Sequence, residues 1–158
     1  MIKIFRSYDL PLELEFDSLE HVLLENESFH RCFLNHIYMN NSILIGCDFR
    51  SAELLESQFM YSVFDESKLI MVVSNSDFSH ATFKKALLLH SDFSHSSFKY
   101  ADFSQAILND TNFSNCDFRG AKINCKRLEN CLWKNAFYDD STVWPVDFNA
   151  EEYGAIKM

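Results

Sequence analysis

The chain has 158 residues, 47% of them hydrophobic, enough for one domain with a substantial core. Sixteen residues are Phe against three Gly and two Pro, which excludes a fold of strands joined by tight Gly-rich hairpins. The net charge of −9 opposes general nucleic-acid binding, and no apolar run approaches the ~18 residues that span a bilayer.

In chain order, residues 1–16 carry Lys3, Arg6 and Asp9 and hold no apolar segment of the signal-peptide kind, so the expected location is cytoplasmic. Leu10, Leu12, Leu14 and Phe16 alternate, and predict an N-terminal capping strand or arm. From Asp17 a period of five begins, weakly in DSLEH, VLLEN, ESFHR, CFLNH and IYMNN, then firmly in SILIG, CDFRS, AELLE, SQFMY, SVFDE and SKLIM. It resumes at Ser76 with SDFSH, ATFKK, ALLLH, SDFSH, SSFKY, ADFSQ, AILND, TNFSN, CDFRG and AKINC. In these 16 firm units the first residue is always Ser, Ala, Cys or Thr, and the third is Phe in ten, Leu in five and Ile in one. Leu69 to Phe78 spans nine residues where two units need ten, so one residue is missing near 70–75. A kink is expected there, with 72–75 as the short unit and Val73 as its core residue. KRLEN and CLWKN end the repeat near residue 140, and 141–158 predict a C-terminal cap that lays Trp144 and Phe148 over the last ring layer.

Five residues advance about 500° on an α-helix and reverse the face of a strand, so neither element keeps every Phe on one side. The period points all third residues inward only if the chain turns a corner once per unit. The small first residue, frequent Asp or Asn at the second and Phe or Leu at the third together resemble the pentapeptide-repeat family over roughly residues 17–140. That resemblance implies an all-β fold, a right-handed quadrilateral β-helix. Twenty-five units at four per coil give about six coils, roughly 29 Å of stack at the usual strand spacing. Each coil touches only its neighbours, so both ends need capping.

Little in the sequence points to chemistry. Cys32, Cys47, Cys116 and Cys131 occupy first positions, where a thiol serves as a small apolar group, and Cys125 falls at an outward fifth position. No Cys pair has zinc spacing, and no two His share a column at the 20-residue coil period. No glycine-rich phosphate loop or nucleophile elbow is present. The expectation is therefore no enzyme, no metal and no cofactor.

The outward-polar rule breaks mainly on one wall. Ile70, Met71, Leu87, Leu89 and Ile107 fall at outward positions there, with Ile70 under Leu89 and Leu87 under Ile107. They predict an apolar patch of roughly a few hundred Å², of the size that marks interaction sites. The N-terminal arm is a second candidate cover for the same wall. A lesser group, Ile43, Met60, Tyr61 and Val63, flanks another corner. The leading reading is a non-enzymatic scaffold that binds a protein partner or a second copy of itself, for instance to neutralise a bacterial toxin or position an effector. A secreted bacterial effector is one alternative. Another, a DNA mimic acting on a type II topoisomerase, follows from the quinolone-resistance members of the family. It suits the first 71 residues, at −7, better than the last 87, at −2, where Arg119, Lys122, Lys126, Arg127 and Lys134 cluster.

Overall fold

The structure is a computed structural model that describes residues 1–7 and 9–158. Ladders of parallel bridges dominate it, linking residues 19 to 21 positions apart. Four columns recur: Leu23–Ile43–Val63, Ser28–Asp48–Lys68, Phe33–Glu53–Val72 and Tyr38–Gln58–Asp77, each continuing toward the C-terminus. All eight starting and middle members are second residues of their units, so the chain meets each column once per coil. Most contacts are single bridges, because a five-residue unit leaves no room for longer pairing. One wall extends them into three short strands, β3 (Lys68–Leu69), β4 (Leu87–Leu89) and β5 (Ile107–Asn109), paired in that order.

The corner is made by the fifth residue. Between His21 and Gly120 every fifth residue has a positive φ, from 51° at His90 to 73° at Gly120. Asn, Asp and His tolerate this left-handed conformation better than most, but Glu56, Tyr61 and Lys85 adopt it as well. Each non-Gly corner costs on the order of 1 kcal/mol, so the core must enforce them. That core is a continuous stack of third residues. Phe59, Phe78, Phe98 and Phe118 lie one above another at ring spacings of 5.0, 5.2 and 5.1 Å, and Phe64, Phe83 and Phe103 form a second column at 5.2 and 4.8 Å.

The buried serines are more than small. Ser42, Ser57, Ser62 and Ser67 donate their hydroxyls to the carbonyls of Leu19, Leu34, Met39 and Leu44 in the coil before. A serine also accepts the N–H of the first residue one coil earlier, as Ser62 does from Ser42, Ser67 from Cys47 and Ser96 from Ser76. Where the next coil has Ala instead, that N–H folds back on its own corner. Ser62 N–H reaches Phe59 O, beneath Ala81, and Ser67 N–H reaches Phe64 O, beneath Ala86. A buried polar group is thus paired in either case.

The period skips once, and the bridges locate the skip. Asp48 pairs with Lys68 at 20 residues, but Glu53 with Val72, Gln58 with Asp77 and Val63 with Thr82 at 19. The short unit is Ser67–Ile70, and 71–75 is complete. Met71 occupies the small-residue position, with its N–H on Ser91 Oγ at 3.1 Å, and Val73 is fully buried. This corrects the sequence expectation of a short 72–75 unit. A second irregularity follows Lys122, where Ile107 pairs with Lys126 at 19 residues and a 3₁₀ turn at Leu128–Asn130 restores the frame. It draws Cys125 in against the core, where an outward position was expected.

At the N-terminal end β1 (Ile2–Ile4) and β2 (Leu12–Leu14) form an antiparallel hairpin. Ile4 and Leu14 are buried, whereas Leu10 stays 86% exposed. The hairpin joins the first coil through Phe33 N–H to Phe5 O and Ser7 N–H to Arg31 O. At the other end Trp144 meets Trp133 edge-on at 5.1 Å, Phe148 lies 6.1 Å from Trp133, and β7 (Ile156–Lys157) pairs in parallel with β6 (Phe137–Tyr138).

Candidate functional site

The expected apolar wall divides in two. Leu87 pairs with Ile107 across β4 and β5, and Lys68 with Leu87 across β3 and β4. Extending that register one residue sets Ile70 beside Leu89. These four side chains are half-buried against one another on one wall. Met71 does not join them: expected to face outward, it is only 3% exposed, because the missing residue turns it into the core. The N-terminal hairpin pairs with Arg31–Phe33, two rows from Ile70, and so lies over the end of the stack. Met60, Tyr61 and Val63 sit in other columns. Tyr61 is 53% exposed and stacks on His80 at 4.5 Å, which stacks in turn on Tyr100 at 4.8 Å. Val63 continues the column of Leu23 and Ile43.

The feature that sequence reasoning missed lies beside the wall. In the corner column Arg31, Ser51, His90 and Asp110, the coil between Ser51 and His90 has no fifth residue. The gap is an open notch of about 520 Å³, within the range of small-ligand pockets. Ile70, Met71 and Val72 line it, together with Glu53, Asp92 and Asp110. His90 Nδ1 lies 3.4 Å from Asp110 Oδ2, and Asp92 accepts the Ser94 N–H at 2.9 Å and Asn112 Nδ2 at 3.0 Å. The signal for it is the nine-residue interval from Leu69 to Phe78, which does not say which corner lacks its residue.

Burial pushes the Cys47 and Cys131 thiols up to about 11 and the Cys116 thiol up to about 12, so all three are protonated and weakly nucleophilic at neutral pH. Among the described residues no group of three His, Cys, Asp or Glu converges as metal ligands, and no helix is long and apolar enough to cross a membrane. The notch combines an apolar floor of Ile70, Met71 and Val72 with the carboxylates of Glu53, Asp92 and Asp110.

The family model described as Pentapeptide repeats (8 copies) matches this chain over residues 74–110 and 96–132. Among solved structures it is similar to QnrB1, a plasmid-mediated fluoroquinolone resistance protein, at 12% identity and TM-score 0.39, covering 88% of this chain and 92% of that one. It is similar to alr5209, a pentapeptide repeat protein from Nostoc, at 16% identity and TM-score 0.43, covering 84% and 86%. A third likeness is to Rfr23, a pentapeptide repeat protein from the cyanobacterium Cyanothece, at 19% identity and TM-score 0.39, covering 81% and 88%. No curated protein matches the chain.

Proposed function

This chain belongs to the pentapeptide-repeat family, and on that premise we propose that it is a non-enzymatic scaffold which binds a partner protein through the wall of Ile70, Leu87, Leu89 and Ile107. The proposal takes the winding as a right-handed quadrilateral β-helix of about six coils, with residues 1–16 and 141–158 as its caps. The observation that carries it is the strand register on that wall, which places Leu87 against Ile107. Several second positions on the other walls hold Asp, as at Asp77, Asp92, Asp102 and Asp117, while the apolar ones there, such as Leu23, Ile43 and Tyr38, are not joined into a strand ladder. Four aliphatic side chains on adjacent coils form a continuous surface of the sort that marks a docking site. Leu89 is half-buried and makes no hydrogen bond through its side chain, so Leu89→Asp should leave far-UV CD and melting unchanged. The same change should abolish self-association in sedimentation velocity or retention of a host-lysate partner. A collapsed CD spectrum, or unaltered association, would overturn the reading.

A further inference from the structure

We infer that the notch between Ile70 and Met71 receives a lysine or arginine side chain of the partner, an inference that rests on the adjacent wall being the docking surface. Ile70 belongs to both features, so a partner lying on the wall reaches the notch without a break. The floor of Ile70, Met71 and Val72 is apolar and suits the methylene stem of a long cationic side chain. The rim carries the carboxylates of Glu53, Asp92 and Asp110, with the His90 imidazole 3.4 Å from Asp110, and no Lys or Arg lines it. The nearest cation in sequence, Arg50, is already held by Asp48 with Nη2 to Oδ2 at 2.6 Å. These carboxylates do not converge as metal ligands, so they offer an edge of negative charge around an apolar cleft. That arrangement matches an ammonium or guanidinium at the end of a flexible stem. The surrounding field has the same sign, since residues 1–71 carry 12 acidic and 5 basic side chains, a net of −7.

The test uses N-acetyl-arginine amide as the probe and N-acetyl-citrulline amide, nearly the same shape without the charge, as its control, each titrated into the ¹⁵N-labelled protein. The arginine probe should give saturable shifts confined to the amides of Val72, Val73, His90 and Ser91. The citrulline probe should bind about tenfold more weakly, the loss expected for one charge-assisted contact. An asparagine inserted between Ile70 and Met71 supplies the missing corner, fills the notch and should remove the shifts. Glu53→Gln with Asp110→Asn leaves the backbone path untouched and should weaken the arginine probe severalfold even if the insertion misfolds. Equal binding of the two probes, shifts scattered over the acidic surface, or indifference to the charge-removing pair would overturn the inference. Ile107→Asp separates it from the wall reading: it should remove partner association while the arginine probe binds as before. Loss of probe binding in wild type with the Leu89→Asp effect intact sinks the notch alone, whereas association that survives Ile107→Asp sinks the wall.

Discussion

Phe98 lies at the centre of the ring stack, and its truncation measures what that stack is worth. The side chain is fully buried and meets the rings of Phe78, Phe83, Phe93, Phe103, Phe113 and Phe118 at 5.1–5.9 Å. Phe98→Ala forfeits about 1.5–3 kcal/mol of transfer free energy. The stacked neighbours above and below, Phe118 and Phe78, each add about 0.5–1.5 kcal/mol. The surrounding walls are backbone-bonded coils that cannot close over the void, which places the total near the upper limit for such changes, about 5 kcal/mol. Phe29 is equally buried but, among the described residues, stacks only on Phe49, at 4.7 Å. Its removal should cost about 3 kcal/mol, at the lower limit. Urea unfolding, followed both by far-UV CD and by the fluorescence of Trp133 and Trp144, compares the two. With a slope of ~2–3 kcal/mol/M, Phe98→Ala should lower the midpoint by about 2 M and Phe29→Ala by about 1 M. Two probes are needed because a repeat array can unfold in parts. Equal shifts for the two variants, or a shift below about 0.5 M for Phe98→Ala, would show that the central stack does not dominate stability.

Two further outcomes follow from corners and charges. Gly120 has φ 73°, and a Cβ there would overlap the ring of Tyr100. Gly120→Ala should cost about 1–2 kcal/mol in a thermal melt. Adding Tyr100→Ala should return the steric share, and strict additivity of the two changes would show that the overlap is not the cause. Asp117 is pushed up by burial, but hydrogen bonds from the Arg119 side chain and backbone and from Lys99 outweigh this and hold it below its ordinary 3.8. A folded pKa lower than the unfolded one stabilises the fold above the unfolded value, and that contribution is lost as pH falls through the folded value. As pH falls below about 4 the wild type should therefore lose stability more steeply than Asp117→Asn. Parallel pH profiles would remove Asp117 from the acid response.

Much of this architecture was legible because volume dictates it. First residues must be small and third residues large for coils to stack, so Ser57 and Phe59 announce their places by size alone. The skip is visible as an interval, but the interval alone does not fix which unit is short. Met71 and Val72 are both apolar, and size or hydropathy does not say which of them faces inward. Hydrogen bonds decide it: Met71 N–H engages Ser91 Oγ, Ser91 Oγ reaches Leu69 O, and Val72, 50% exposed, takes the outward bridge to Asp92. The left-handed corners were hidden for a related reason. Residues as different as Glu56, Tyr61 and Lys85 occupy them, because the core imposes the turn against local preference. The notch was hidden because no residue marks it; it is the space left by one.

The paired roles of serine and alanine at first positions separate an instruction from the place where it acts. Whether the N–H of Ser42 reaches across to the next coil or bends back on its own is settled by residue 62, twenty positions later. A Ser62→Ala change would reshape a bend in the coil beneath and leave the sequence of that coil unaltered. Inspection of any five residues therefore misses half of what shapes their own turn. A designer of such rods would set the form of each bend by editing the storey above it, and could alternate hydroxyl and methyl along one column to steer the axis.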